Sequence, residues 1–355
     1  MTQSPNAPSR ADSTLAATPF EPLNAVLATM VSGIKQVLGD KFVGAYLQGS
    51  FAVGDFDDAS DCDFIVAVKT DLTDDEAAAL SALHTKIHDL PPPWCHRLEG
   101  SYVPVEILRK LNPEPRDPPG TVRPASWKDP GTSGSPPRVY PLWFLDHGQK
   151  VLARSEHDNT QVVRWATREK GLVLAGPPTA DLIDPVTPEA LRAEMRTVLR
   201  RETPVWTADP AKMDQVWLQG FFVTFYCRIL HTLQTGEVQS KRAASDWAVA
   251  NLEARWKPLI EQALAERTLP LEARLEPANR AAVAETLAFM RHALRVDAKM
   301  TEQRAKQAKQ GAGPPGTPGP GGRPGGKWDA ASSGGRGAGR SVGKAIRPMG
   351  GGRRV

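Results

Sequence analysis

Two aspartates and a Gly-Ser pair are the residues of this chain whose types and spacing could do chemistry. Gly49-Ser50 is followed, after ten intervening residues, by Asp61-Cys62-Asp63 and then by an apolar run. Magnesium prefers oxygen ligands and is usually held by one or two carboxylates together with substrate phosphates. A Gly-Ser turn leaves backbone N–H groups open and adds a hydroxyl donor, which suits a phosphate. The segment is therefore typical of a phosphate-binding turn followed by a magnesium site.

Two apolar runs flank these residues and predict the strands that would position them. Residues 42–47 and 64–68 are both bounded by Gly, Asp or Ser, as buried strands often are. Side chains two apart on a strand share a face, so Asp61 and Asp63 should point the same way. A solvated acidic turn is the alternative, since the loop holds three further aspartates. The Gly-Ser turn and the two strands favour the metal site.

These motifs resemble the nucleotidyltransferase superfamily, which includes DNA polymerase beta and the aminoglycoside adenylyltransferases. Three later segments resemble the helical C-terminal domain of the streptomycin/spectinomycin adenylyltransferases: Leu172-Val-Leu-Ala-Gly-Pro177, Asp184-Pro-Val186 and above all Cys227-Arg-Ile-Leu-His through Asp246-Trp-Ala248. The resemblance extends over roughly residues 20–300, with one interruption. It implies Mg²⁺-dependent transfer of AMP from ATP, as co-substrate, to a hydroxyl of a small molecule. An aminoglycoside or spectinomycin-like antibiotic is the implied acceptor class, and antibiotic resistance the implied role.

Glu99 is the predicted general base. It lies on a third predicted strand, residues 97–104, where a sheet can bring it beside Asp61 and Asp63. Transfer to a hydroxyl needs a base near the acceptor oxygen, and the resemblance implies that Glu99 has this role. Glu106, seven residues later, is the rival, and a surface charge at a strand edge is the alternative for both. Strand register favours Glu99.

Arg228 and Lys241 are the predicted nucleotide-binding cations. Arg228 falls in an apolar and aromatic helical segment, where an unpaired charge is costly, so it should face a partner or an edge. A phosphate would satisfy it. Lys241 begins the next predicted helix, and the resemblance implies that it contacts the nucleotide. A structural ion pair for Arg228 and a solvated lysine for Lys241 are the alternatives. Gly49, Ser50 and Ser60 complete the predicted nucleotide-binding set.

The chain differs from the resembling family at the residues that contact the acceptor. The antibiotic-contacting helix of the resembling enzymes carries acidic and amide residues before the arginine, whereas this chain has Leu218, Phe221 and Phe222. A polycationic aminoglycoside needs an acidic pocket, so the departure weakens the aminoglycoside prediction and leaves adenylyl transfer untouched. His157 and Trp143 are further candidates for the cleft, with a helix-cap role and a core position as the respective alternatives.

Composition favours a cytoplasmic enzyme with no membrane partner. The 355 residues suffice for two domains, and the three cysteines have the spacing of neither a disulfide framework nor a zinc site. We expect no signal peptide and no membrane span, because no apolar run has the required length. The net charge of +4 conceals an asymmetry, since residues 301–355 hold eleven Lys or Arg against two acidic residues. The body is therefore acidic and the tail basic.

The order of predicted elements sets the fold class. Helix 22–38, three strands and a helix opened by a Thr73–Glu76 capping box come first, and everything after Asp158 is predicted to be helical. Asp158-Asn159 and Thr187 are the predicted caps of the first two later helices. We expect an α/β N-terminal nucleotidyltransferase domain, a small mixed sheet with helices, joined to an all-α C-terminal helical bundle. The predicted parts are a disordered N-terminus (1–18), the nucleotidyltransferase domain (19–150) with a Pro/Gly-rich insertion (111–140), the helical bundle (151–308) and a disordered basic Gly-rich tail (309–355).

Two other classes of function stay open. Arginines spaced in glycine, as in Gly321-Gly-Arg323 and Gly334-Gly-Arg336, resemble segments that bind nucleic acid through charge. On that hypothesis the chain is a nucleic-acid-associated protein acting through its tail, or an enzyme whose tail binds nucleic acid weakly. The other hypothesis is a nucleotide-binding regulator without catalysis. The presence of Asp61, Asp63 and Glu99 argues against it.

Overall fold

A mixed six-stranded sheet and a set of helices make up the described part of the computed structural model, residues 17–56, 60–111 and 139–311. The strands are β1 (Phe42–Leu47), β2 (Cys62–Val68), β3 (Leu98–Pro104), β4 (Leu142–Leu145), β5 (Ala153–Ser155) and β6 (Leu172–Ala175). Their order in the sheet is β5-β4-β3-β2-β1-β6. Strands β2 and β3 are parallel, and the other neighbouring pairs are antiparallel. The predicted small mixed sheet is confirmed.

Twelve α-helices accompany the sheet in the described residues. The helices around the strands are α1 (Glu21–Leu38), α2 (Gly49–Val53), α3 (Asp74–His88), α4 (Val105–Arg109), α5 (Gln161–Lys170) and α6 (Thr179–Leu182). The later helices are α7 (Pro188–Ala208), α8 (Val216–Thr235), α9 (Lys241–Asn251), α10 (Lys257–Glu266), α11 (Leu271–Leu275) and α12 (Arg280–Gly311). Between residues 17 and 311, no described helix has both the length and the apolar character that crossing a membrane requires.

The two faces of the sheet bury separate sets of side chains. Helices α1 and α3 cover one face, where Phe64 and Val66 of β2 are buried. Helices α4 and α6 contribute to the core on the other face, which holds Ile65 and Ala67. Because side chains alternate along a strand, Asp63 belongs to the second face with Ile65 and Ala67. Asp63 therefore lies on the face of the sheet opposite α1 and α3.

The predicted capping box at the start of α3 is confirmed. The Thr73 hydroxyl accepts a hydrogen bond from the Glu76 backbone N–H at 3.2 Å, and the Glu76 carboxylate accepts one from the Thr73 N–H at 2.7 Å. Lys41 adds an ion pair to the same carboxylate at 2.6 Å. These contacts satisfy backbone donors that the first turn of a helix leaves open and join α3 to the residues before β1.

Helices α7, α8, α9, α10 and α12 bury a core of their own. Helix α8 is its centre, with residues buried around most of its circumference, and Tyr226 bonds the Thr203 hydroxyl of α7 at 2.7 Å. The predicted Thr187 cap is confirmed, since its side chain accepts from the Ala190 N–H. The three cysteines are buried and free. The predicted helical C-terminal region is thereby confirmed for the described residues from α7 onward.

The prediction that everything after Asp158 is helical was wrong. Leu172–Ala175 forms β6, which pairs antiparallel with β1. A four-residue apolar run is too short for its periodicity to distinguish a strand from a buried helix. Here the segment is a strand because it pairs with the open edge of β1. Helix α5 also begins later than predicted, because Thr160 rather than Asp158-Asn159 accepts from the Val163 N–H. The sequence prediction also missed β4 and β5. Most of the predicted N-terminus, insertion and tail lies outside the described residues.

His84 of α3 supplies a pH test of the sheet core. It is 2% exposed, and its Nε2 lies 2.8 Å from the buried Tyr102 hydroxyl. Burial lowers the pKa of His84 to about 4, whereas an unfolded histidine titrates near 6.5. Because the folded pKa is the lower one, folding favours the neutral form of His84. The stability that this form contributes is complete above about pH 6.5 and is lost as the pH falls towards 4.

We therefore expect the free energy of unfolding to drop by about 2 kcal/mol between pH 6.5 and pH 5 on account of His84. The His84→Gln variant should be less stable at neutral pH but should show a shallower decline. Urea unfolding of both proteins at the two pH values measures the difference. Equal declines would contradict the assignment.

Candidate active site

Four carboxylates come together at the start of β2 and β3. Asp63 and Glu99 are register partners on these parallel strands, so their side chains leave the same face of the sheet. Asp61 lies just before β2, and the buried Asp158 accepts a hydrogen bond from the Ser101 hydroxyl at 2.7 Å. Burial, with the charge of Asp61 added, raises the pKa of Asp63 to about 6. Burial and the charge of Asp63 raise the pKa of Glu99 to about 7.

The register explains the choice between the two candidate bases. Glu99 is the second residue of β3, beside Asp63, and its side chain is 15% exposed. Glu106 lies beyond the strand on α4 and is exposed. A carboxyl group with a pKa close to neutrality can accept a proton and release it again at physiological pH. Of the two, Glu99 has the environment that general-base chemistry requires.

His147 extends the carboxylate cluster from the loop between β4 and β5. Its Nδ1 lies 2.8 Å from Asp61 Oδ1, and the hydrogen bond raises the pKa of His147. Burial by itself would raise the pKa of Asp61, but the same hydrogen bond lowers it, and the net change is a lowered pKa. One ligand atom each of Asp61, Glu99 and His147 lie within 4.8 Å of one another. The sequence prediction did not include His147.

The carboxylate oxygens fit magnesium better than the imidazole does. Mg²⁺ is a hard cation that takes oxygen ligands and keeps several waters. Asp61 and Asp63, the predicted metal ligands, both lie in this acidic cluster with Glu99. Their mutual repulsion is the physical reason to expect a cation here, because a nearby positive charge would favour all of the ionised forms.

Gly49 and Ser50 open α2 directly above this cluster. Gly49 has φ +61°, a left-handed conformation, and a Cβ at that position would collide with the Asp63 carboxylate. The Ser50 hydroxyl is buried, and no described residue offers it a hydrogen bond. An unsatisfied buried donor beside a glycine turn is the chemistry that a phosphate oxygen would satisfy. Ser60, the other predicted serine, is buried just before Asp61.

Lys241 faces the acidic cluster from the start of α9. Burial lowers its pKa to about 8, the charges of Arg267 and Arg228 add to the shift, and Asp63 and Asp61 oppose it. Three cations are thus close enough to repel one another beside the carboxylates. That arrangement suits an anion with several charges, such as a triphosphate.

Arg228 lies on α8 and is half-buried. Its Nε donates to the Gln239 carbonyl oxygen at 3.1 Å, and burial lowers its pKa while the charges of Asp63 and Asp55 oppose the shift. The predicted need for a partner is thus met in part by a backbone carbonyl. Its remaining guanidinium donors suit a phosphate.

Arg267 is the cation that the sequence prediction missed. It follows the last residue of α10, and its side-chain stem packs near Gly220 of α8, where a Cβ would lie 3.9 Å from Arg267 Cγ. A basic residue at a helix end is common because it complements the helix dipole, so the sequence held no signal of another role. Only the packing of α10 on α8 brings it beside Arg228 and Lys241.

His157 links Glu99 to the buried Asp158. Its Nδ1 is 3.1 Å from Asp158 Oδ1 and 3.9 Å from Glu99 Oε1, and its ring packs on Phe144. The hydrogen bond to Asp158 raises the pKa of His157 to about 9. Trp143, the other cleft candidate, instead donates to the Leu72 carbonyl and packs on the sheet core.

Helix α9 also contacts the loop that follows α2. The Arg242 backbone N–H donates to Asp55 Oδ2 at 3.1 Å, in the first turn of α9, where backbone donors have no partner within the helix. A carboxylate at a helix N-terminus is stabilised by the helix dipole. This contact holds the start of α9, where Lys241 lies, against the loop after α2.

Comparison with known proteins supports this description. Residues 182–293 match the family model described as aminoglycoside adenylyltransferase, C-terminal domain. An aminoglycoside (3'') (9) adenylyltransferase from Rhizobium radiobacter is 29% identical over 96 residues, which cover 27% of this chain and 33% of that protein. The protein of the same name from Escherichia coli is 30% identical over 98 residues, with 27% and 34% covered. The chain thus spans about a third of the length of these curated relatives.

A solved structure shares the fold over a longer range. It is a spectinomycin adenyltransferase, AAD(9), from Enterococcus faecialis, crystallised with ATP and spectinomycin. The TM-score is 0.51 and the identity 13%, over 76% of this chain and 98% of that one. This likeness concerns the fold. Together with the sequence matches, it confirms the predicted resemblance to aminoglycoside adenylyltransferases.

Two glycines permit a controlled test of the turn over Asp63. Gly49 and Gly54 both have positive φ, +61° and +70°, but an added Cβ at Gly54 meets nothing within 4 Å. Gly54→Ala should cost only the left-handed backbone, about 1–2 kcal/mol. Gly49→Ala should cost about 1–3 kcal/mol more, because its Cβ must displace the Asp63 carboxylate. Urea unfolding measures both variants, and equal losses would contradict the close approach.

Proposed function

We propose that the protein is a Mg²⁺-dependent nucleotidyltransferase that transfers AMP from ATP to a hydroxyl of a small molecule. The observation that carries the proposal is the pairing of Glu99 with Asp63 on adjacent parallel strands, opposite Lys241 and Arg228. A near-neutral base, a carboxylate pair for a metal and cations for phosphates are the parts that this reaction needs. A cytoplasmic location, where ATP is available, accords with it.

The chain's residues divide between the two ends of the nucleotide. Gly49 and Ser50 would bind its phosphates, with the unsatisfied Ser50 hydroxyl as a donor. Asp61 and Asp63 would hold Mg²⁺, which when bound neutralises phosphate charge and makes the α-phosphorus more electrophilic. Lys241 would stabilise the negative charge of the leaving pyrophosphate, with Arg228 beside it.

Glu99 would act on the acceptor. Its carboxylate takes the proton of the acceptor hydroxyl as the oxygen forms a bond to the α-phosphorus. The bond between that phosphorus and the bridging oxygen breaks, and pyrophosphate leaves with the electron pair. Burial beside Asp63 raises the pKa of Glu99 to about 7, which makes it a stronger base than an exposed glutamate. His157, hydrogen-bonded to Asp158, would limit this rise through its positive charge.

An aminoglycoside or spectinomycin-like antibiotic is the acceptor class that the relatives suggest, with antibiotic resistance as the role. The solved neighbour was crystallised with spectinomycin and ATP. The regulator hypothesis predicts nucleotide binding without transfer, and the base and the paired carboxylates favour transfer. The nucleic-acid hypothesis depends on the tail, which lies outside the described residues.

The general base can be tested against its rival. Glu99→Gln should lower the rate of AMP transfer about 10²–10⁴-fold. Glu106→Gln, a matched change on the exposed α4, should leave the rate within about twofold because it touches none of the proposed groups. Transfer is measured as label moving from α-labelled ATP to spectinomycin, streptomycin or another hydroxylated compound of a panel. Full activity of Glu99→Gln, or its loss in Glu106→Gln, would contradict the assignment.

The nucleotide-binding cations can be tested in the same assay. Lys241→Met removes a charge-assisted contact to phosphate and should lower kcat/KM for ATP about 10–100-fold. Lys257→Met on α10 is the control, since that lysine is half-exposed and pairs with Glu261 at 3.8 Å. Kinetics at varied ATP concentration measure both variants. The interpretation is wrong if both lose the same amount.

A further inference from the structure

Helices α9 and α12, with the turn between α9 and α10, border a cavity of about 360 Å³, which we call the α9–α12 cavity. Its lining includes Trp247 and Asn251 of α9, Trp256 of the turn and Arg295 of α12. Lys241 begins α9, ten residues before Asn251, so a rise of about 1.5 Å per residue places the two about 15 Å apart along the helix. Because small-molecule sites have volumes from about 300 Å³ upward, the cavity has the size of a ligand site, at the opposite end of α9 from Lys241.

Two cations on α12 border the cavity without a partner. Arg295 and Lys299, which we call the α12 cations, are four residues apart, a spacing that puts both on one side of the helix. In the part of the chain that the structure describes, neither forms a hydrogen bond or an ion pair. Glu302 is exposed and lies outside the lining, and the buried Asp297 pairs with two arginines of α7. Like charges at this spacing destabilise a helix, so an anion between them would remove an unfavourable interaction.

The other charged groups around the cavity leave this positive charge in place. Arg255, the third lining cation, lies 3.7 Å from a carboxylate oxygen of Glu285. Glu253 is the acid among the lining residues, and its Oε1 lies 4.0 Å from His292 Nδ1. Burial lowers the pKa of His292, so its ring is neutral at pH 7. When both glutamates are set against the three cations, one positive charge remains in surplus, and the unpaired cations are those of α12.

Aromatic rings form the apolar part of the lining. Trp256 is 1% exposed, its ring centroid is 5.2 Å from that of Phe289, and the Arg255 guanidinium lies 4.2 Å from the indole centroid. Its Nε1 is buried, and no described residue accepts a hydrogen bond from it. Trp247 is only partly buried and meets the His231 ring edge-on at 5.3 Å. A flat ligand ring can pack on the Trp247 indole, and Trp256 Nε1 lacks the acceptor that a buried donor normally has.

We propose that the α9–α12 cavity binds an organic phosphate that carries one flat ring, at a site separate from the nucleotide site. A phosphomonoester has close to two negative charges at pH 7 and several acceptor oxygens, which fit two adjacent unpaired cations better than a single carboxylate does. Its ring would pack against Trp247. Inorganic phosphate alone would leave most of the cavity unfilled, and a neutral ring would leave the α12 cations unpaired. None of these residues takes part in the proposed transfer of AMP, so the inference goes beyond that function and does not depend on it.

Three probes separate the charge from the ring. Calorimetric titration of the full chain should give phenyl phosphate a Kd of about 1 mM or lower. Inorganic phosphate, which lacks the ring, and benzyl alcohol, which lacks the charge, should each bind at least about tenfold more weakly. The affinity of phenyl phosphate should be the same with and without Mg²⁺ and the non-transferable analogue α,β-methylene-ATP, because Lys241 and the proposed nucleotide site lie at the other end of α9.

Variants connect this affinity to the lining. Arg295→Gln combined with Lys299→Gln should weaken phenyl phosphate binding at least about tenfold, because both charge-assisted contacts are removed. Arg280→Gln combined with Lys306→Gln is the matched control, which removes the same two charges from exposed positions of α12 outside the lining and should stay within about twofold. Glu253→Gln removes the negative charge of the lining and should tighten binding about two- to fivefold. All five side chains are exposed, so each variant should keep the fold, which urea unfolding checks.

Each contrary result overturns the inference. Equal affinities for phenyl phosphate and inorganic phosphate would show that the cavity does not bind a ring, and equal losses in the two double variants would show a general effect of net charge. Competition by Mg²⁺ and α,β-methylene-ATP would place phenyl phosphate in the nucleotide site. The titrations involve no catalysis, so the two proposals fail separately: a failed AMP-transfer assay contradicts the proposed function, whereas absence of phenyl phosphate binding contradicts only the second site.

Discussion

Electrostatic repulsion among partly buried carboxylates is the constraint on which the rest of the site depends. Parallel pairing of β2 and β3 sets Asp63 beside Glu99, and Asp61 and Asp158 lie close enough to raise their pKa values further. Charges of one sign repel strongly where water is scarce. Positive charge near the cluster relieves this repulsion and favours the ionised carboxylates, and several other features of the site supply it.

Positive charge reaches the cluster from His147 and His157 beside the sheet and from two of the helices. Lys241 and Arg228 lie on α9 and α8, and the Arg242 N–H contact with Asp55 holds α9 against the loop after α2. The lysine in turn is repelled by the arginines that accompany it, so neither cluster is neutralised in full. A magnesium–triphosphate complex carries both signs of charge and would relieve both repulsions, which gives a physical reason for binding it between strands and helices.

The sequence predicted the local parts of this arrangement. Gly49-Ser50, Asp61 and Asp63 are close in the chain, and strand alternation relates the aspartates to a sheet face without knowledge of the fold. Glu99 needed one further assumption, that its strand neighbours β2, and the parallel register satisfies it. His147 and Arg267 could not be predicted, because their places in the site depend on strand β4 and on the packing of α10 on α8. Strand β6 was missed for a related reason, since pairing with β1 rather than local pattern makes it a strand.

On the proposed function, carboxylates of the sheet and cations of the helices form one nucleotide site. A double-mutant cycle for calorimetric binding of Mg²⁺ and α,β-methylene-ATP, using Asp63→Asn, Lys241→Met and the double variant, tests this shared site. If the two residues act on one bound nucleotide, the effects should be non-additive by about 1 kcal/mol or more. Additivity within about 0.3 kcal/mol would mean that the two residues act independently and would contradict a shared nucleotide site.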